Sequence, residues 1–548
     1  HSIKGLKINN TNNRGYNHAG LFCSLKNAIV ENLVIDSSCS FTGNTAGALT
    51  VIASGSLDIK SITNNAYVNG SGFVGGFIGY LREMEEVNTS VTFDRCVNHG
   101  TIVVWDNEGD KRENMDGFEG LYCCAGFVGL IHSDSDVKVL FLSSINYGTL
   151  TGKSNKEEGI AYLGGLIGAI YNDKMGDEYC QSDGDGIDLI VKNCSNNGNV
   201  NGNNNENSLF TSVSAGFIGM QYCNGHITIV DSVNSASVEG NTGASGFLGG
   251  AQFNGDVSFI NCQNDGTISV TQRYSAGFVG GTYYSKKELV ISDCRNNGHI
   301  LGDISGGFVG ICYSSVKITQ SKNSGSVKGD GHIGGFIGMT GLSETSSNNM
   351  ELTMENCHNN GTLELVSSSE DPFDEHSVGG LLGYISFLHF DGGVNIINCM
   401  ETGTIKSVPD EGSIGGMIGK VGFEYDPQNY PDDYGIISNK VEIASSFVSH
   451  MMNVNCTKCS VGGVIGTISS EYPYLTNAID VSVMGDQEIH VECNGCVVGG
   501  VIGIINDTVR ALVTISDTTL NGSLDVTSDK MDHSATGGFI GSAANNSD

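Results

Sequence analysis

Residues 306–340 read GGFVGICYSSVKITQSKNSGSVKGDGHIGGFIGMT, and they contain nearly the same pentapeptide twice, first as Gly-Gly-Phe-Val-Gly and then as Gly-Gly-Phe-Ile-Gly. Glycine loses more backbone freedom on ordering than any other residue, so three glycines kept around an apolar pair need a structural reason. Numbered by the second glycine, related pentapeptides recur at Gly76, Gly126, Gly165, Gly216, Gly246, Gly277, Gly307, Gly335, Gly380, Gly416, Gly463, Gly500 and Gly538. Degenerate copies precede them at Gly20 and Gly47. From Gly216 to Gly335 the steps are 30, 31, 30 and 28 residues; elsewhere they mostly lengthen, to between 36 and 51. A minimal period with variable additions is the pattern of a solenoid whose loops project from a constant coil.

Each period carries a second landmark, an Asn two residues before a glycine with Cys or Ser two residues before the Asn. Examples are CVNHG (Cys96, Asn98), SINYG (Ser144, Asn146), CSNNG (Cys194, Asn196) and CQNDG (Cys262, Asn264). CRNNG (Cys294, Asn296), SKNSG (Ser321, Asn323) and CHNNG (Cys357, Asn359) continue the series. Apolar residues alternate on both sides of this turn, which predicts short strands. We expect three per coil: the GGFφG strand, the strand ending at Cys, and the strand after the Asn-Gly turn. The fold expected is all-β, a parallel β-helix of about fourteen to fifteen coils of roughly 28–31 residues, continuous over residues 1–548.

Stacking of equivalent positions then makes columns. Phe77, Phe127, Phe217, Phe247, Phe278, Phe308 and Phe336 form an apolar column, with Leu166 taking one place. Asn98, Asn146, Asn196, Asn264, Asn296, Asn323 and Asn359 form an amide ladder, each side chain bonding the next, as in cross-β stacks. Cys96, Cys194, Cys262, Cys294, Cys357 and Cys399 share one place with Ser144 and Ser321, which calls for a small, weakly polar side chain. Tyr171, Tyr222, Tyr283 and Tyr313, with His132 once, recur three residues after the pentapeptide. Facing outward they would offer planar sugar rings a stripe; facing inward they are packing.

Composition narrows the function classes. Seventy-eight glycines are about twice the usual share. The five prolines all fall between the landmarks, where no ladder N–H is needed. A formal net charge of −33 opposes binding to nucleic acid or anionic lipid. No apolar run is long enough to span a bilayer. The chain opens on His1 and stops shortly after the Gly538 copy, so it reads as a segment of a longer protein or a subunit whose end a neighbour covers. Insertions at 105–122, 173–188, 203–212, 342–350, 366–376 and 424–435 are the places where a regular scaffold carries loops.

Few motifs carry chemistry of their own. CTKC (Cys456, Cys459) and CNGC (Cys493, Cys496) sit at the same distance before Gly463 and Gly500, which brings four sulfurs together on successive coils. They suit a four-cysteine zinc site or disulfides, and in an oxidising compartment the disulfide reading is preferred. Asp183, Asp185 and Asp188 space three carboxylates as a short calcium loop would, without the bidentate Glu of an EF-hand. Nine Asn-x-Ser/Thr sequons (Asn9, Asn69, Asn88, Asn193, Asn360, Asn455, Asn506, Asn521, Asn545) permit glycosylation in a secreted protein. No hydrolase, zinc-protease or nucleotide-loop motif is present, and no catalytic residue or organic cofactor is expected.

The paired landmarks, NCxNxGxφxG followed by GGFφG, resemble the GLUG-type repeats of large surface proteins of gut bacteria and anaerobic protists, and the resemblance runs from the Gly20 copy to Gly541. It implies a right-handed parallel β-solenoid displayed outside the cell, often as an adhesin or stalk. The function expected is an extracellular structural or adhesive rod or a filament subunit joined end to end through uncapped coils, associating with itself, with neighbouring surface proteins or with glycans. It supplies no catalytic residues. The readings from other classes are a carbohydrate-active β-helix enzyme, lyase or hydrolase, and a passive glycan- or calcium-binding module.

Overall fold

A computed structural model describes residues 1–10, 17–83, 89–105, 121–133, 135–153, 160–172, 186–202, 211–223, 225–253, 255–283, 287–341, 350–366, 376–388, 392–408, 411–424, 438–456, 458–470, 476–493, 495–506, 511–528 and 535–543. Most of the six insertions, with Asp183, Asp185, Asn88 and Asn545, lie outside these residues. The chain divides into two compact units: His1–Arg273 with Phe278–Gly280, and Tyr274–Gly277 with Gly281–Asp548. Both are parallel β-solenoids, and among the described residues there is no helix.

One coil of the first unit illustrates the construction. Its strands are Thr211–Ala215, Ile218–Cys223, Ile227–Val230, Val233–Asn234 and Val238–Gly240. The next coil lies on it in parallel register, with Ser214 against Ala244, Ile218 against Leu248, Ile227 against Val257, Asn234 against Asn264 and Val238 against Ile268. The second unit repeats the scheme: Gly306 pairs Gly334, Val309 pairs Ile337, Val316 pairs Leu352, Asn323 pairs Asn359 and Val327 pairs Leu363.

The coil therefore has five strand segments rather than the three expected, and the GGFφG pentapeptide is a corner rather than a strand. Ala215 ends one strand, Ile218 begins the next, and Gly216-Phe217 turns between two sheets. The reason is space. A Cβ on Gly216 would lie 2.2 Å from the Gly246 carbonyl oxygen and 2.3 Å from Asn234 Oδ1. The second glycine lets the backbone of one coil rest on the next while the ladder Asn fills the inside of the corner. A strand running straight through would carry Phe217 away from the interior.

At the corner the aromatic residue turns fully inward. Phe77, Phe127, Phe217, Phe247, Phe278, Phe308 and Phe336 are all buried. Phe77 stacks on Phe127 at 4.8 Å between ring centroids, Phe217 on Phe247 at 4.7 Å, Phe247 on Phe278 at 4.9 Å and Phe308 on Phe336 at 4.7 Å. These distances follow the spacing of parallel strands, so within each of these runs a coil adds one ring to the stack, while buried Leu166 takes the place between Phe127 and Phe217. Phe93 and Phe141 form a second stacked pair whose faces meet the edge of Phe127. Another corner is turned by a residue of positive φ just before the Cys/Ser place, among them Arg95, Asn193, Asp231, Asn261, Asp293, Asn356 and Asn398. Asn and Asp tolerate this left-handed conformation best, which explains their dominance there.

Candidate functional site

The interior polar column is the most ordered chemical feature of the molecule. In the first unit Asn64 Nδ2 donates to Asn98 Oδ1 at 2.9 Å, Asn98 to Asn146 at 2.8 Å and Asn146 to Asn196 at 2.7 Å. Asn196 donates to Asn234 at 3.1 Å, and Asn234 to Asn264 at 2.9 Å. In the second unit Asn296 donates to Asn323 and Asn323 to Asn359, both at 2.8 Å. Each of these asparagines is buried. Several of these amides also serve their own turn, as where Asn146 Oδ1 accepts from Gly148 N at 3.1 Å. A buried amide with both ends satisfied stabilises; one left unpaired would cost about 1–3 kcal/mol.

The column changes character beyond Asn359. Glu401 takes the next place, fully buried, accepting from Asn359 Nδ2 at 2.8 Å and from Gly403 N at 2.9 Å. Burial pushes its carboxyl well above the usual range, and the two donors oppose this only in part. In the following coil Val448 pairs with Glu401 in register, and His450 fills the slot under Gly416, where a Cβ would lie 2.3 Å from its Cε1. Neither ring nitrogen of His450 has a hydrogen-bond partner among the described residues, and burial pulls its pKa down to about 4. Gln487 occupies the slot of the next coil, its Nε2 donating to the Gly463 carbonyl at 2.9 Å.

The cysteine column is buried and locally bonded. The Sγ of Cys96, Cys262 and Cys357 donates at 3.3 Å to the carbonyls of Ile59, Ile229 and Ile318 in the preceding coil. Cys399 does so to Met354 at 3.5 Å. Ser144 and Ser321 replace the thiol with a hydroxyl that accepts from the Cys96 and Cys294 amides. Burial raises the thiols of Cys96 to about 11 and Cys194 to about 12, so they are inert at neutral pH. Cys123 and Cys124, a vicinal pair, are also buried and raised.

The two CxxC pairs come together as their spacing requires. Cys456 and Cys493 are register partners, and Cys456 Sγ lies 3.3 Å from Cys496 Sγ. Hydrogen bonds from Cys456, Cys459 and Cys493 converge on Cys496 and bring its pKa down to about 3, while burial and those same contacts raise its neighbours. All four are buried. Among the described residues no group of three or more His, Cys, Asp or Glu is arranged to hold a metal ion. Asp188 is exposed and accepts from His226 N at 3.0 Å.

The tyrosine stripe is packing. Tyr171 and Tyr222 are partly buried against a side cluster of Phe73, Tyr80, Leu130, Tyr162 and Met220, and Tyr283 and Tyr313 against Tyr274, Ile304 and Ile311. Tyr162 and Tyr222 share a hydroxyl contact of 3.1 Å, and Tyr80 reaches His132 Nδ1 at 2.8 Å. In the second unit this side cluster becomes polar, with His332 Nδ1 bonded to Ser377 Oγ at 2.9 Å and Lys420 over the Tyr384 ring. Of the sequons, Asn9, Asn193, Asn360, Asn455 and Asn521 are exposed, while Asn69 and Asn506 are partly covered. An open groove on the first unit is lined by Asn27, Ile29, Ser56, Asp58, Ser90 and Thr92. Its carboxylate, Asp58, is paired with Lys60 at 2.7 Å.

No family model matches the chain. No solved structure matches it. A stretch of 119 residues, 21% of the chain, is 33% identical to Halomucin of Haloquadratum walsbyi, and it spans 1% of that protein. No helix among the described residues is long and apolar enough to cross a membrane.

Several residues of the interior column escape the sequence pattern. Asn64 and Asn234 belong to the ladder but are followed two residues later by Ala66 and Ala236, so a search anchored on Asn-x-Gly passes over them. Glu401 was legible in principle, since Glu401-Thr402-Gly403 aligns with the Asn-x-Gly turns. His450 was not, because it stands in the glycine place and reaches the slot by its side chain.

Proposed function

We propose that the protein is a structural β-solenoid of a surface-type protein, of the GLUG-type class that its repeats resemble. Its coils space and present the loops inserted between them, and its partners are neighbouring surface proteins or glycans. The observation that carries this reading is the commitment of the recurring residues to the stack itself. Phenylalanine fills the corner, asparagine bonds asparagine, cysteine bonds the preceding backbone, and tyrosine packs on a side cluster. A repeat that recognised a ligand would leave at least one recurring polar or aromatic position facing solvent and unused. The partial likeness to Halomucin supports the same class, and a net charge of −33 suits a solvated exterior.

Proteolytic shaving of intact source cells tests the placement. Peptides from this chain are expected in the supernatant before lysis; their appearance only after lysis would contradict it. Incubation with acidic polysaccharides is expected to leave the polymers uncut, and release of shortened chains would favour the enzyme reading instead.

A further inference from the structure

The two CxxC coils lie in the part of the second unit where the amide ladder has ended. From Asn296 to Glu401 each interior side chain bonds the next coil. Beyond Glu401, Val448 stands at the ladder place, and among the described residues no ladder bond joins the following coils. Strands Met451–Cys456 and Thr476–Cys493 come next, in register from Met451 against Glu488 to Cys456 against Cys493. There the side chains facing one another across coils are thiols.

We propose that Cys456 and Cys496 are joined by a disulfide that clamps these two coils covalently where the ladder no longer does, leaving Cys459 and Cys493 as thiols. Two observations support the pairing. The two sulfurs are 3.3 Å apart, already inside van der Waals contact, and the residues are forty apart in sequence, so the bond links coils rather than closing a local turn. The set is not arranged around a metal.

The oxidant is a small-molecule disulfide such as oxidised glutathione, acting before the second coil closes over the first. The Cys496 thiolate attacks one sulfur of that disulfide, whose S–S bond breaks and releases one thiolate. Cys456 gives its proton to the leaving thiolate and attacks the Cys496 sulfur of the mixed disulfide, releasing the second half of the oxidant as a thiolate, which takes up from solvent the proton that Cys496 lost on ionising. The protein loses two hydrogens and the oxidant gains two.

The full-length chain, folded in a glutathione redox buffer, is denatured in iodoacetamide without reductant, digested and mapped by mass spectrometry. A peptide pair linking Cys456 to Cys496 is expected, lost on reduction, with Cys459 and Cys493 alkylated. Four alkylated thiols would overturn the proposal. So would linkage within 456–459 and 493–496, or stoichiometric zinc that protects all four until a chelator removes it. As a second readout, oxidation is expected to raise the thermal midpoint of the native chain and of Cys399→Ser by several degrees and to leave Cys456→Ser unmoved. An undiminished rise in Cys456→Ser would contradict the clamp.

Discussion

Glu401 is fully buried and accepts from Asn359 and Gly403, and a buried carboxylate is stable only if it holds a proton or a full positive partner. Its pKa is raised by burial, so the folded chain keeps the proton that the unfolded chain loses above the usual carboxylate range. Its contribution to stability is therefore fully present in acid and is lost as pH rises through and above that range. Glu401→Gln restores an amide and removes this slope. Chemical denaturation is expected to show the variant more stable than the parent by about 1–3 kcal/mol at pH 7, with the gap closing near pH 4. A variant no more stable at pH 7 would mean that the carboxylate has a partner of its own.

His450 acts in the opposite direction. Burial lowers its pKa to about 4, so as pH falls below the usual imidazole range the unfolded chain takes up a proton that the folded chain refuses. Stability drops from near pH 6.5 toward pH 4, by on the order of 3 kcal/mol for a shift of this size. His450→Leu is expected to flatten that limb of the stability–pH curve, measured by thermal midpoint against pH. An unchanged limb would place the acid sensitivity elsewhere, for instance at His332, which burial brings down to about 3. In the ladder proper, Asn146→Leu keeps the volume but strands the Asn98 amide and the Asn196 carbonyl, and is expected to cost about 2–5 kcal/mol in urea denaturation.

At the scale of the element, the corner depends on absent Cβ atoms. Gly126→Ala would place a methyl 2.2 Å from the Gly165 carbonyl and 2.6 Å from Asn146 Oδ1, both rigid, and is expected to destabilise by about 3 kcal/mol or more. Gly393→Ala, which meets nothing closer than 3.9 Å in its strand, is expected to stay within about 1 kcal/mol of the parent. Equal effects of the two on the denaturation midpoint would remove the corner argument. The columns of Phe and Asn were readable from spacing alone because a solenoid turns chain distance into lateral contact, so Phe217 and Phe247 need only recur to touch. The number of strands was not readable. The break at Gly216-Phe217 depends on what the next coil places opposite, and alternation of apolar residues continues across it. The direction of Tyr222 was equally hidden, since its partner Tyr162 belongs to a neighbouring coil and to no shared motif.

Across the whole molecule, 60 acidic residues face 27 basic ones. Among the described residues the lysine–carboxylate ion pairs lie at the surface. Those between Lys328 and Glu364, and between Lys458 and Glu411, are exposed and worth little individually. Like charge at the surface opposes folding and is screened over about 10 Å at 0.1 M salt. The thermal midpoint is therefore expected to rise between 10 and 300 mM sodium chloride (both on the order of the range over which screening becomes effective), and a fall would indicate attractive surface electrostatics instead. The cross-coil clamp, at about 2–4 kcal/mol for a bond of this kind, would act on only two coils of the second unit.

The central claim is that residues one period apart lie directly over each other in parallel register. Nitroxide labels at Thr228 and Ser258, register partners in neighbouring coils of the first unit, measure it. The account predicts strong dipolar broadening of the room-temperature and frozen spectra, since the two backbones are separated by about 4.8 Å. A double-labelled spectrum equal to the sum of the two singly labelled ones would contradict it.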